Sequence, residues 1–305
     1  MTVRRILIDT DPGVDDAVAI LLALASPELQ IEAIVAVAGN APLAVTEANA
    51  RAICELAGRP DIAVYAGCAR PITRPPITAE YAHGESGLGG LVLPSPTMAL
   101  RPEHGVDAAV ELFRRAPPKS VTWCALGPLT NVAMALIKAP DIAERVGELV
   151  LMGGASRALG NITPAAEFNI HADPHAAQVV FDSALPITVV PLDVTHQVCS
   201  TPERIARIKA LGNPVADAVA ELQLPSGSRP SALHDPCVIA YVLAPELFQG
   251  SPVNVAVECE SGLTLGMTVV DWRGVSGRSV NATVLHTVDA DRVYALLQKC
   301  LSRAP

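Results

Sequence analysis

Short apolar runs rich in β-branched residues recur along the chain, and most of them lead through a turn into a pattern of helical period. VRRILI passes through DTDPG to a helix from about Val14. IEAIVAVAG leads to a helix over Leu43 to Ala57, and SVTWCAL leads through GPLTN to a helix ending near Lys138. ELVLMGG is followed by a long loop and then by ADPHAAQVVFDS as a helix, and ITVVPLDV reads as a further strand. Strand, turn and helix in repetition predict an α/β fold: an open, mainly parallel sheet with helices on both faces. Near the end, VNVAVECESGLTLGMTVVDWR reads as a small antiparallel hairpin with ESG near its turn, and ADRVYALLQKC as an amphipathic helix. No internal repeat or low-complexity linker interrupts the pattern, so residues 1–305 are read as one domain.

The polar motifs break this pattern at equivalent places. DTDPGVDD, GN (39–40), LGPLTN (126–131) and MGGAS (152–156) each follow the carboxyl end of a predicted strand. In an open α/β sheet those ends form one rim, where ligands bind. Four polar segments far apart in sequence are therefore expected at one crevice.

Composition narrows the ligand. Half of the residues are hydrophobic but only 3% are aromatic, so the core must be aliphatic. Asp and Glu number 31 against 22 Lys and Arg, a net charge of -9. That excess argues against nucleic acid, whose binding draws on clustered positive charge, and leaves a small neutral substrate open. The seven cysteines are widely spaced with no CxxC, which reads as reduced core thiols of a cytoplasmic protein. MTVRRILIDTD has too few apolar residues for a signal peptide, and no apolar run reaches membrane-spanning length, so no membrane association is expected.

The stretch ILIDTDPGVDDAVAILLAL (6–24) crowds Asp9, Asp11, Asp15 and Asp16 between two apolar elements, with nothing basic among them. Like carboxylates held close raise each other's pKa. Asp15 and Asp16 fall in the first turn of a helix, where free amides and the macrodipole favour acids. Asp11 is not explained that way. A hard cation, calcium or magnesium, brings such oxygens together. An EF-hand is excluded, because counting from Asp9 the sixth and twelfth positions are Val14 and Ile20, not Gly and Glu. Asp9-Thr10-Asp11 fits the Asp-x-Asp of a haloacid-dehalogenase-type phosphatase, though Gly13 is unusual at its fifth position.

DTDPGVDDA resembles the N-terminal signature of the nucleoside N-ribohydrolases, the inosine/uridine-preferring nucleoside hydrolase family. HGESGLGG (83–90), LGPLTN, VLMGGA, GNITPAAEFNIHADP (160–174) and HDPCVIAYVLAPELF (234–248) resemble further family segments, in family order. The ordered set is specific where each segment alone is weak.

The resemblance implies hydrolysis of the N-glycosidic bond of purine or pyrimidine ribonucleosides, giving base and ribose. It implies one Ca²⁺ held by Asp11, Asp16, the Leu126 carbonyl and Asp235, with Asp11 also the general base for the attacking water. From the residues alone Asp235 reads as a helix N-cap before Pro236, and Asp173-Pro174 shares that grammar and is expected to be only a cap. For the ribose hydroxyls the resemblance offers Asp15, Asn161, Glu167 and Asn169, with Asn40 near the metal and Met152 against the sugar. His234 and His83 are the candidates to protonate the departing base, and Phe168 to stack on it. Asp9 is expected behind the ligands. Pyrimidine-preferring members carry a Tyr and a Gln before the HDP segment; here that stretch is ELQLPSGSRPSAL, without an aromatic, so base preference stays open. A homo-oligomer, dimer or tetramer, is expected. Two alternatives remain: a Mg²⁺-dependent phosphatase with Asp9 as nucleophile, and a nucleoside-binding protein without turnover.

Overall fold

The computed structural model describes residues 3–224 and 231–305. Their strands are β1 (Arg4–Thr10), β2 (Leu29–Ala36), β3 (Val64–Ala66), β4 (Val121–Ala125), β5 (Glu148–Met152), β6 (Ile187–Val190), β7 (Phe248–Val257), β8 (Thr268–Asp271) and β9 (Ala282–Val288). They form one sheet in the order β3-β2-β1-β4-β5-β6-β9-β7-β8. The pairings from β3 across to β9 are parallel, and β7 runs antiparallel to both β9 and β8. Aliphatic clusters cover both faces, as an aromatic-poor core must. Among the described residues no helix is long and apolar enough to cross a membrane.

This topology places the site. From β1 the chain winds outward to β2 and β3, returns to β4, and winds the other way. The reversal between β1 and β4 is the switch point at which an open sheet leaves a crevice. Asp9 is in register with Val35 of β2 and Ala125 of β4. The segments carrying Asp11, Asn40 and Leu126 therefore leave the sheet side by side, and the Leu126 amide donates to the Asp9 carbonyl at 2.7 Å.

The first helix, Val14–Leu24, starts where Pro12 and Gly13 end β1. Gly13 supplies no capping side chain, so Asp16 reaches back to its amide instead, at 3.0 Å. The helix is buried on nearly every side, which is why it lacks a polar face. Pro191 stops the strand of ITVVPLDV after Val190, and Leu192–Thr195 coils into a short helix. The loop expected after ELVLMGG contains a short helix, Phe168–Ala172, that periodicity cannot reveal. It forms because the Glu167 carboxylate accepts from the amides of Asn169 and Ile170. Asp173 does cap Pro174–Phe181, accepting from the Ala176 amide. Asp235 does not cap the helix it precedes: its side chain makes no capping bond.

Candidate active site

A cavity of about 490 Å³ opens at the switch point. Asp15, Asn40, His83, Leu126, Met152, Asn161, Glu167, Phe168, Asn169, His234 and Asp235 all line it. Asp11 and Asp16, which are fully buried, lie beneath its floor rather than in its wall. Seven separate segments of the chain thus meet at one place.

The floor is a network around Asp11 and Asp16. Asp16 is surrounded by donors: the Thr10 hydroxyl at 2.5 Å and the Asp11 amide at 3.2 Å on Oδ1, the Gly13 amide at 3.0 Å and Asn40 Nδ2 at 3.1 Å on Oδ2. Asp11 Oδ2 accepts from the Asn40 amide at 2.6 Å, while its buried Oδ1 has no partner among the described residues. Asn40, expected near the metal, binds both acids and so orients them. Two glycines make room. A Cβ on Gly39 would lie 2.1 Å from Asp11 Oδ2, and one on Gly127 would lie 2.3 Å from Oδ1. The sequence reading gave those glycines no role of their own, although they stand within the rim motifs GN and LGPLTN.

Burial is the first cause of the unusual acidity here. It pushes the Asp11 carboxyl well above the ordinary range, and the charge of Asp16 pushes it further. Asp235 is raised in the same way by burial and then by Asp16, Asp15 and Asp11. Asp15 rises to about 7 by burial, with His83 opposing. Glu167 rises by burial, offset in part by the amides of Asn169, Gly154 and Ile170. Asp9 sits behind the floor and does not line the cavity; burial lifts it to about 8, while Asn131 Nδ2 donates to its Oδ1.

Among the described residues no three His, Cys, Asp or Glu side chains are gathered into a metal cage. The Leu126 carbonyl accepts from Asn169 Nδ2 at 2.6 Å. The donor set still suits a hard cation: buried carboxylates, one backbone carbonyl, one orphaned carboxylate oxygen and no sulfur.

The walls are set by side chain to backbone bonds. Glu167 accepts from the Gly154 amide at 2.9 Å as well as from its own helix. Asn161 Oδ1 accepts from the Phe168 amide at 2.9 Å. Asn169 Nδ2 bridges the carbonyls of Leu126 and Met152. The Val14 amide donates to His83 Nδ1 at 3.1 Å, which leaves Nε2 as the protonated nitrogen of the neutral ring. His234 pairs through Nδ1 with the Thr195 hydroxyl at 2.9 Å, and the protein packed around it pushes its pKa down to about 4. Burial thus favours the neutral ring.

Other lining residues escaped the sequence reading. Tyr81, 71% exposed, lines the cavity, as do Leu88, Glu221 and Leu224. The ELQLPSGSRPSAL stretch falls partly outside the described residues, at 225–230; on its two sides Leu222, Leu224, Ser231 and Ala232 line the cavity. Gln223 is buried and receives a bond from the Ser200 hydroxyl instead.

A family model described as inosine-uridine preferring nucleoside hydrolase matches residues 6–295. The chain belongs to that family. A pyrimidine-specific ribonucleoside hydrolase of a Shewanella species is 44% identical over 308 residues, covering 98% of this chain and 96% of the relative. An uncharacterised Schizosaccharomyces pombe protein is 47% identical over 99% of this chain and 100% of its own length. Among solved structures, a purine-preferring ribonucleoside hydrolase from Gardnerella vaginalis superposes with a TM-score of 0.91 at 30% identity, covering 98% of each chain. The chain is thus a nucleoside hydrolase acting on ribonucleosides, and the mainly parallel sheet with its antiparallel extension is the fold of that structure. The binding-only alternative falls with the phosphatase.

Proposed function

We propose that this nucleoside hydrolase cleaves purine or pyrimidine ribonucleosides with the help of Ca²⁺ held by Asp11, Asp16, Asp235 and the Leu126 carbonyl. The observation that carries the reading is the orphaned, buried Oδ1 of Asp11 beside acids whose proton affinity is raised by one another. When bound, the ion supplies positive charge that acidifies a water and holds a sugar diol.

The chain's own residues do the rest. Asp11 accepts the proton of the attacking water, and its raised proton affinity suits a general base. Asp15, Asn161, Glu167 and Asn169 bind ribose hydroxyls, with Met152 against the sugar face. The surplus of carboxylates and carbonyls around the ribosyl carbon stabilises the positive charge that grows there as the base departs. Phe168 stacks on the base, and His234 or His83 donates an N–H to it. The family likeness supports a cytoplasmic homo-oligomer, dimer or tetramer. Incubation with a panel of nucleosides, with freed base read by chromatography before and after chelation, tests the reading. Activity that survives complete removal of divalent ions would refute the calcium part.

Two further results are expected. No Lys or Arg is among the described residues lining the cavity, whereas Asp15, Glu167, Glu221 and Asp235 are. One divalent ion leaves that wall negative, so a 5′-phosphate is repelled. Uridine or inosine should be cleaved with a kcat/KM at least ~10-fold above that of its 5′-monophosphate, roughly 1.4 kcal/mol; equal values would sink this idea. Calcium should also stabilise the fold by linkage. At about 100 times its Kd it contributes about 2.7 kcal/mol, a rise in Tm on the order of 5 °C. Thermal melts of chelated protein with and without added Ca²⁺ measure it, and no shift would count against the site.

A further inference from the structure

The antiparallel extension that follows the helix Pro236–Leu243 lies at the edge of the sheet, away from the switch point, and none of its residues lines the cavity. It nevertheless grips the wall in several places. Thr268, the first residue of β8, is 4% exposed. Its hydroxyl donates to the Ala155 carbonyl at 2.7 Å, and the Ala155 amide donates back to it at 3.0 Å. Both hydrogen-bonding groups of one residue are thereby fixed by one side chain. Ala155 adjoins Gly154, whose amide donates to Glu167. Gly154 has φ +80°, and a Cβ there would meet Thr268 Cγ2 at 2.9 Å, so the loop and the hydroxyl are packed as one piece.

The same hairpin holds the other side of Glu167. His171, at the end of the short helix that Glu167 caps, pairs through Nδ1 with the Leu265 carbonyl at 2.9 Å. Gly266, φ +80°, lies so close that a Cβ would be 2.7 Å from His171 Cα. Further along, the Trp272 indole donates to the Ser156 hydroxyl, and Arg157 lies over its ring at 4.7 Å. The loop and the short helix that together set the Glu167 carboxylate are thus both anchored to residues 265–272. A carboxylate meant to bind a ribose hydroxyl loses much of its effect when displaced by about an ångström.

We propose that Thr268 is a positioning residue for the hydrolysis: its hydroxyl, through Ala155 and Gly154, fixes the carboxylate of Glu167 where the ribose binds. The inference rests on the role given above to Glu167. The hairpin is then part of the catalytic apparatus, although it never touches substrate.

The test is a double-mutant cycle on full-length, calcium-loaded protein. Thr268→Val keeps the shape and removes the hydroxyl; Thr268→Ser keeps the hydroxyl. The Val variant should lose roughly 10-fold or more in kcat/KM on a ribonucleoside at a Tm close to that of the parent, and the Ser variant should recover most of it. Combined with Glu167→Gln, Thr268→Val should add little further loss, because the two act through one contact. Losses that multiply would mean a general structural role and overturn the inference, as would equal losses in the Val and Ser variants. If Glu167→Gln is impaired while Thr268→Val is not, only the inference falls. If Glu167→Gln keeps full activity, the ribose-binding role falls and the inference with it. Should Thr268→Val fail to fold, the same cycle is run on Thr268→Ala with Thr268→Ser as the rescue.

Discussion

Asp11→Asn will stay inactive in saturating Ca²⁺, whereas Asp16→Asn will recover part of its activity as Ca²⁺ is raised. The two acids are neighbours, and the proposed reading makes both metal ligands, but their surroundings differ. Asp11 has one oxygen on the Asn40 amide and one without a partner. An asparagine there can keep the first bond and hold the fold, but it cannot take a proton from water. Losing a general base costs ~10²–10⁴-fold by itself, and excess metal does not replace it. Asp16 instead receives four hydrogen bonds and has no free oxygen. In Asp16→Asn the new NH₂ must face either the Thr10 and Asp11 donors or the Gly13 and Asn40 donors. Such a donor-to-donor clash costs about 1–3 kcal/mol when buried. The rescue is therefore partial, limited by the loosened turn as well as by weaker ion binding. Steady-state kinetics across a Ca²⁺ titration decide the matter. Restoration of both variants to the same extent would mean that Asp11 only holds the ion.

His234→Ala should lose ~10²-fold or more in kcat on its preferred natural nucleoside and keep most of its kcat on p-nitrophenyl riboside. A natural base leaves poorly as an anion, whereas p-nitrophenolate leaves unaided, so only the first reaction needs a proton donor. The ring lines the cavity, with Nδ1 turned to the Thr195 hydroxyl and, among the described residues, no partner on Nε2. Because burial favours the neutral ring, the help is expected to come from an N–H hydrogen bond that strengthens as charge builds on the base. Both substrates share the sugar and the water, so the comparison isolates the leaving group. An equal loss on both would move His234 to a structural role, with Thr195 and the Asp235 turn as its partners. The donor would then be sought at His83, whose Nδ1 already accepts from the Val14 amide and whose Nε2 carries the proton.

The sequence by itself determined the sheet class, the positions of β1, β2, β4, β5 and β6 and the hairpin near its end, but not β3 or β9, which also pair in parallel. Those follow from periodicity, which is local: alternating and continuous apolar runs are set by which faces are buried. It also determined that four polar segments would share a rim, because parallel strands joined by helices all present their carboxyl ends on one side. The Asp cluster was conspicuous because like charges in an apolar frame need an explanation. Other elements were legible but went unread: Thr201-Pro202 and Asn213-Pro214 open helices with the same grammar as Asp173-Pro174.

Only the tertiary structure decided how those residues divide the work. Asp9, Asp11 and Asp16 look alike along the chain. The register of β1 against β4 and the turn at Pro12 bury Asp9 behind the floor, leave one oxygen of Asp11 free and wrap Asp16 in donors. The tertiary structure likewise decided that Asp235 does not cap its helix, that Asn40 binds the acids, and that Gly39 and Gly127 must lack a side chain. It joined Thr268 to Ala155, residues 113 positions apart. Such contacts are non-local: they depend on which carboxylate oxygen meets which amide after the sheet has closed, and no pattern within one segment of sequence encodes that.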